Sequence, residues 1–442
     1  MYKNNSLWQF FASVKLALLI LFLIAVTSII GTVIPQKEAA QFYVANFGPT
    51  YARIFQILDI PDMYNSWWFL LLLFLLGFNL IICSIDRFPG VWRQVKSDGL
   101  AVPAERIRNM STAAEWQVDR PLADTRDSIV KTLAARGYRA TAKSAEESTI
   151  LFAQKGHWTR TGVYIVHASI LVIFIGAIIG SLGGFKGSVM IPETMSRDKV
   201  FLFGNKGTQD LGFSIRCDDF SIEFYDNGMP KEYTSSLTVI ESGQEVLARN
   251  IEVNHPLKYK GITFYQSSYQ PTQDFVIEIG LPDGKTRKTF LTPFQEQIEW
   301  DEPGLQFGVI NARVRGQEIV TAKLWFSDGN DSPESIWVDN DKPAELERES
   351  GTYTVTVKQL YATGLQVAKD PGVWWVYIGC GLMLFGLYVA FFMSHKRIWV
   401  LLSREKAGTA ALLTGSANKN RPGFEKQFAD LAGLLKTGER DV

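Results

Sequence analysis

His167 is the side chain whose type and position most directly suggest chemistry. It lies in the apolar run Gly162–Leu182 and is the only acidic or basic residue well inside any of four such runs. An ionisable group within a membrane span is costly to keep, so such residues usually serve a function, and imidazole is a common metal ligand. The sequence therefore predicts a ligand-binding role for His167. The alternative is structural, with the imidazole hydrogen-bonded to a neighbouring helix.

The residues around His167 divide between two faces of a helix. With 3.6 residues per turn, small residues fall together on one face: Gly162, Ser169, Gly176, Gly180 and Gly183. The opposite face carries His167 among bulky apolar residues: Val163, Leu171, Phe174 and Ile178. The spacing Gly176-x-x-x-Gly180 permits close helix contact. The face with His167 suits a flat apolar ligand such as haem, whose iron is often held by an axial histidine.

Two further residues belong to this predicted site. Phe174 would pack against the haem face, and Arg160 would contact a haem propionate near the membrane surface. Arg160 has an alternative role as an interfacial anchor at the end of the helix. His167 is about five residues into the run, which places it about 7–8 Å below the surface at 1.5 Å per residue.

Hydropathy divides the 442 residues into spans and loops. Four runs of about 20 residues match the length needed to cross a bilayer: Leu16–Ile34, Trp67–Ile85, Gly162–Leu182 and Val373–Met393. Lys and Arg are concentrated between the second and third runs and after the fourth. The positive-inside tendency therefore places both termini in the cytoplasm and the segment of about 190 residues before the fourth run in the periplasm.

The predicted fold class is a polytopic α-helical membrane protein with a large extracytoplasmic β-rich domain and a small cytoplasmic α+β module. The β-rich domain is predicted from short alternating strands with turn signals between them. The predicted divisions are the N-terminus and first span at 1–35, a periplasmic loop with amphipathic helices at 36–66, the second span at 67–85, the α+β module at 86–161, the third span at 162–182, the β-domain at 183–372, the fourth span at 373–393, and a cytoplasmic tail at 394–442.

Several functions are disfavoured by what the chain lacks. Lys and Arg equal Asp and Glu in number, so the charge balance gives no general case for nucleic-acid binding. No carboxylate lies inside a span, which argues against a pump or secondary transporter. His157, His255 and His395 have interfacial or loop settings, and a turn role is expected for His255. Since no second histidine lies deep in a span, the chain supplies at most one ligand to a membrane haem.

Taken together, five motifs resemble the ResB family of the system II pathway of cytochrome c biogenesis. The resemblance extends to about residue 400 and is carried by these segments: Ser13-Val-Lys-Leu-Ala with Ser28-Ile-Ile-Gly-Thr-Val-Ile-Pro-Gln36, Asn79-Leu-Ile-Ile-Cys-Ser-Ile-Asp-Arg87, Arg160-Thr-Gly-Val-Tyr-Ile-Val-His167, Asn254-His-Pro-Leu through Phe264-Tyr-Gln-Ser-Ser-Tyr269, and Asp370-Pro-Gly through Ser394-His-Lys-Arg-Ile-Trp399. Each motif is weak alone, and their order along the chain makes the set specific.

The resemblance implies a role in haem handling at the bacterial inner membrane. ResB-like proteins work with a second polytopic protein, ResC, to carry reduced haem across the membrane and present it to apocytochrome c. A thioredoxin-like thiol reductant is a further partner, with membrane lipid around the spans and no nucleic acid. By this resemblance His167 is one axial ligand of a transiently bound haem b and the partner supplies the other, so the chain contributes to a haem lyase complex rather than acting alone. The alternatives are a haem-free scaffold that binds apocytochrome c or the reductant through its β-domain, and an electron-transfer membrane protein.

Overall fold

The computed structural model describes residues 5–204, 207–225, 229–315, 318–406 and 408–438. Within them the α-helices are α1 (Ser6–Phe11), α2 (Val14–Val33), α3 (Ala40–Ile57), α4 (Trp67–Lys96), α5 (Ala104–Arg108), α6 (Leu122–Ala135), α7 (Gly162–Gly183), α8 (Val373–Phe392) and α9 (Arg421–Gly438). Short 3₁₀ segments at Ile60–Asn65 and His157–Thr161 precede α4 and α7. The chain divides into two compact units, one of residues 1–177 with 373–442 and the other of residues 178–372.

The strands of the first unit are β1 (Ala113–Val118), β2 (Arg139–Ser144), β3 (Ser148–Lys155), β18 (Lys396–Glu405) and β19 (Gly408–Ala417). Those of the second unit are β4 (Phe185–Pro192), β5 (Ser196–Leu202), β6 (Thr208–Phe224), β7 (Pro230–Glu241), β8 (Gln244–Ile251), β9 (Leu257–Tyr259), β10 (Ile262–Gly280), β11 (Arg287–Pro293), β12 (Ile298–Trp300), β13 (Leu305–Arg315), β14 (Glu318–Ser327), β15 (Glu334–Asp339), β16 (Pro343–Arg348) and β17 (Gly351–Lys369).

In the described part of the chain, four helices are long and apolar enough to cross a membrane. They are α2, α4, α8 and the segment His157–Gly183, which contains α7. The side chains of Ser13 and Ser66 accept hydrogen bonds from backbone N–H groups at the starts of α2 and α4, as helix N-caps do. The four predicted spans are confirmed as helices, but α4 continues to Lys96, eleven residues beyond the predicted end of its span. Hydropathy locates the apolar part of a helix, and the helix itself continues past it.

The loop between α2 and α4 contains the predicted helical structure. Its helix α3 is interrupted at Gly48, whose φ of 80° is accessible to glycine at low cost. Pro49 follows the interruption and so lies in the first turn of the second half of α3. Proline is tolerated there because an N–H in a first turn has no partner within the helix. The side of the membrane on which this loop lies stays a prediction.

The sheet of the first unit joins two distant chain segments. Its strand order is β1-β19-β18-β3-β2, and α6 and α9 pack on one face through Ile129, Leu133, Phe424 and Phe428. The predicted separation of a module at 86–161 from a tail at 394–442 is wrong, because β18 and β19 are central strands between β1 and β3. The reason is visible in β18, where Ile398–Leu402 is buried on both faces.

The second unit is the β-rich domain, as predicted. Its largest sheet has the order β11-β10-β17-β4-β5-β6-β7-β8, and β12–β15 form a separate four-stranded sheet. Two hydrophobic cores share the long strands β10 and β17, with Phe264 and Leu365 in one core and Ile277 and Val355 in the other. The β10–β17 register shifts between Pro271 and Phe275, where the chain passes from one core to the next. Asp226-Asn-Gly, one of the turn signals from which this domain was predicted, lies outside the described residues.

Candidate functional site

The small-residue face of α7 packs against α8. A methyl group added at Gly176 would lie 2.9 Å from Trp375 Cβ and 3.0 Å from the Val376 backbone nitrogen. Gly386 of α8 lies equally close to Val166, since a methyl group there would be 2.9 Å from the Val166 nitrogen. Contacts this short require a glycine at one side of each contact, Gly176 on α7 and Gly386 on α8. The wheel prediction for this face is therefore confirmed at Gly176.

His167 lies on the other side of α7, facing α4. Its Nδ1 is 2.9 Å from the hydroxyl oxygen of Ser84, and the Tyr164 ring lies edge-on with its centroid 6.2 Å away. The imidazole is half-buried. If Nδ1–H donates to Ser84 Oγ, the Nε2 lone pair is left for a metal, which is the usual arrangement of a ligating histidine and its outer partner.

The structure supplies one candidate metal ligand at this place. Among the described residues, no group of three or more His, Cys, Asp or Glu side chains is arranged to hold a metal ion. Haem iron is held by one or two axial side chains rather than by a cluster. A single histidine can therefore supply one of the two axial ligands. Ser84 was missed in the sequence analysis because a serine at the end of an apolar run is common and its distance from His167 is set by tertiary packing.

The polar residues of α4 next to Ser84 hold the N-terminal helix. Buried Asn79 donates from Nδ2 to the carbonyl oxygens of Phe11 (2.6 Å) and Ser13 (3.2 Å), and Cys83 Sγ is 3.1 Å from the Ala12 carbonyl oxygen. The Phe11 and Ala12 carbonyls lie at the break between α1 and α2, whereas the Ser13 carbonyl also accepts the Ala17 N–H in the first turn of α2. An unpaired carbonyl in an apolar environment is costly, so Asn79 stabilises the break and holds α1 against α4, five residues before Ser84.

Phe174 packs between membrane helices. A methyl group at Gly77 of α4 would be 3.3 Å from the Phe174 ring, and the ring also adjoins the buried cluster of Ile20, Leu76 and Leu80. Phe174 thus shares the α4-facing side of α7 with His167, as the wheel predicted. A contact between Phe174 and haem stays a prediction.

Arg160 is held by neutral partners. Its Nε donates to His395 Nδ1 (2.8 Å), and its Nη1 donates to Gln94 Oε1 (3.0 Å) at the end of α4. Because arginine has no acceptor, His395 Nδ1 must accept, so Nε2–H donates to Gln154 Oε1 at 2.9 Å. Burial, together with the charges of Arg160, Arg397 and His157, lowers the pKa of His395 to about 4. His395 is therefore a neutral structural link between α8, β3 and the segment before α7, which the sequence left as an interfacial residue.

The remaining histidines are exposed. The His255 side chain is 73% exposed, and its backbone N–H donates to the Glu252 carbonyl in a tight turn at 3.0 Å. This geometry agrees with the expected turn role. His157 is exposed in the segment before α7. Among the described histidines, His167 is the one that lies within a membrane helix and has a partly accessible ring.

Comparison with known proteins places this architecture in a family. The model of the ResB-like family matches residues 14–321 and 328–429. Cytochrome c biogenesis protein CcsB of Synechococcus sp. (strain JA-3-3Ab) is 30% identical, over 97% of this chain and 90% of its own length. CcsB of Microcystis aeruginosa is 28% identical, over 97% of this chain and 95% of its own length.

A solved structure of cytochrome c heme lyase CcmF was also found. It is 10% identical with a TM-score of 0.24, over 80% of this chain and 46% of its own length. A score this low carries no structural argument. The family model covers most of the chain, including α2, α4, α7, α8 and both compact units. The chain belongs to the ResB-like family.

Proposed function

We propose that this chain is a subunit of the system II cytochrome c maturation complex. In this role it helps carry reduced haem across the bacterial inner membrane and deliver it to apocytochrome c, together with a ResC-like partner. Support comes from relatives named as cytochrome c biogenesis proteins that align over nearly the whole chain and from the four candidate membrane helices. The chain contributes to a haem lyase complex and is not proposed to catalyse thioether formation alone.

The observation that carries the proposal is the Ser84–His167 pair. A histidine that coordinates iron must present an unprotonated nitrogen, and the hydrogen bond from the other nitrogen selects which one that is. With Nδ1–H donating to Ser84 Oγ, 2.9 Å away, Nε2 would be the nitrogen that coordinates the iron of a haem b. A partner histidine completes the pair, and Arg160 Nη2 is available for a propionate.

The proposed topology places each unit where its role requires it. Both termini and the five-stranded sheet lie in the cytoplasm, as the Lys and Arg distribution indicates. The β-rich unit of residues 178–372 lies in the periplasm, where it meets apocytochrome c and a thioredoxin-like reductant.

The test is purification of the chain with its partner and measurement of the b-type haem spectrum. His167→Ala should remove most of the bound haem, and added imidazole should restore part of it, because free imidazole can occupy the vacated axial position. Ser84→Ala should weaken haem retention about 10- to 100-fold, the usual cost of losing an outer partner of a ligating histidine. Ser84→Thr keeps the hydroxyl and should retain more haem.

The matched control is His255→Ala, which removes an exposed imidazole in the β-rich unit and should leave the spectrum unchanged. Full haem content and full cytochrome c maturation in His167→Ala would refute the ligand assignment. Intact maturation without any haem in the purified wild-type complex would favour the alternative, a haem-free scaffold that binds apocytochrome c or its reductant.

A further inference from the structure

Three cations gather where membrane helices meet the five-stranded sheet. Arg160 lies in the 3₁₀ segment directly before α7 and donates to Gln94 near the end of α4. Arg397 is the second residue of β18, just after α8. The Lys419 ammonium donates to the Ala390 carbonyl in the last turn of α8. We call Arg160, Arg397 and Lys419 the junction cluster.

In the described part of the chain, the junction cluster has no acidic partner. Among the described residues, none of its three cations lies within 4.0 Å of a carboxylate oxygen. Some cations elsewhere have close acidic partners, as Arg216 does with Asp218 at 2.5 Å and with Glu245 at 2.7 Å. The partners that the junction cluster does have are neutral: a histidine, a glutamine amide and a main-chain carbonyl.

The charges within the cluster oppose one another. Burial lowers the pKa of Arg397, and the positive charge of Arg160 lowers it further. Burial and Arg160 act in the same direction on Lys419. The C-terminal dipole of α8 offsets part of the charge of Lys419, whereas Arg160 precedes the N-terminus of α7, where the helix dipole disfavours a cation and favours an anion. An anion at this place would reduce the repulsion among the three cations and would also interact favourably with the N-terminal dipole of α7.

The position of the cluster indicates where the anion comes from. Each of its members adjoins the end of a membrane helix, where lipid headgroups are expected, and basic pockets between membrane helices are known to bind such groups. Trp92 of α4 is 41% exposed, and Trp158, just before α7, is 40% exposed. Exposed tryptophans commonly mark the membrane interface. A lipid phosphate can reach this level without leaving the bilayer, whereas a soluble anion would have to be captured from water.

We propose that the junction cluster binds the phosphate of an anionic phospholipid. The planar guanidinium of Arg397, which lies over the Trp399 ring at 5.4 Å, supplies a two-donor contact to phosphate oxygens. Lys419 supplies a further donor, and Arg160 adds its charge from beside the site without giving up the Nη2 that is proposed for the propionate. The bound lipid thereby links α7, α8 and β18. This inference does not depend on the proposed haem role.

The experiment is native mass spectrometry of the full-length chain in neutral detergent. Phosphatidylglycerol and phosphatidylcholine with the same acyl chains are titrated in parallel, and inorganic phosphate is titrated separately. Wild-type protein should bind phosphatidylglycerol more tightly than phosphatidylcholine. Arg397→Gln and Lys419→Gln should each weaken phosphatidylglycerol binding about fivefold, since a basic residue near an anionic lipid surface contributes about 1 kcal/mol. Arg397→Lys should lie between Arg397→Gln and wild type.

The matched control is Arg287→Gln, the same substitution at an exposed position in β11, which should not change lipid binding. Equal affinities of wild-type protein for the two lipids, or unchanged phosphatidylglycerol binding in both glutamine variants, would overturn the proposal. So would complete displacement of the lipid by inorganic phosphate at equal concentration, because the cluster would then be a site for a soluble anion. If Arg397→Gln does not fold, Lys419→Gln carries the same prediction.

Discussion

Replacing Gly176 by alanine should destabilise the packing of α7 against α8. The new methyl group would lie 2.9 Å from Trp375 Cβ and 3.0 Å from both the Val376 nitrogen and its Cγ2, closer than the 3.5–4.0 Å at which carbon atoms attract. Since the obstacles include backbone and Cβ atoms, rotation of a side chain cannot relieve all of them. Overpacking of this kind typically costs about 1–3 kcal/mol.

The alanine also increases helix propensity, by at most about 1 kcal/mol. Gly381 of α8 provides the matched control, because a methyl group there would meet no atom within 4 Å. Both variants gain the same propensity, so the difference between their stabilities isolates the contact at Gly176. We expect Gly176→Ala to be less stable than Gly381→Ala by about 1–3 kcal/mol.

The assay is reversible unfolding in mixed micelles with increasing denaturing detergent, followed by circular dichroism. Gly176→Leu should show a larger loss and a reduced protein level in the membrane. Equal stability of Gly176→Ala and Gly381→Ala would refute the close-packed α7–α8 interface.

Three further predictions concern other parts of the chain. Because the pKa of His395 is about 4 in the folded protein and about 6.5 in an unfolded chain, the unfolded chain takes up the proton first and stability should fall as pH drops from about 6.5 towards 4; His395→Gln should reduce this pH dependence of the melting temperature, and an unchanged slope would contradict the neutral link. Asn79→Leu should leave the Phe11 carbonyl without the Nδ2 donor that lies 2.6 Å away, at a cost of about 1–3 kcal/mol, and speed proteolytic cleavage at the N-terminus, whereas release of α1 at the wild-type rate would argue against this role. A topology reporter fused after Gly372 should report the periplasm and one fused after Arg397 the cytoplasm; the reverse result would invert the proposed orientation.

Much of the membrane architecture could be predicted from composition alone. A span needs about 20 apolar residues because the hydrocarbon core of a bilayer is about 30 Å thick, so the runs Trp67–Ile85 and Val373–Met393 located α4 and α8 without any tertiary information. The helical wheel of α7 separated the face with Gly176 from the face with His167, since helix geometry is regular. Local alternation likewise predicted strands in the segment before the fourth span, where the structure has the β-rich unit.

Other features depended on which distant segments meet. No local pattern indicated that β18 joins the sheet of β1 and β3, because strand pairing across more than 200 residues is decided by packing of the whole unit. The buried state of His395 escaped prediction for the same reason: its partners Arg160 and Gln154 come from segments more than 230 residues away. From sequence alone, a polar residue at the end of a span is interpreted as interfacial, because its tertiary partners are unknown.

The sequence by itself determined that a costly imidazole lies in a membrane helix, opposite a face of small residues, because chain-local rules of hydropathy and helical periodicity govern both facts. Only the tertiary structure decided that Ser84 lies 2.9 Å from that imidazole, that Phe174 packs on Gly77, and that Arg160 holds a neutral histidine. These contacts join separate helices, and their geometry follows from the packing of the bundle rather than from the order of residues in any one helix.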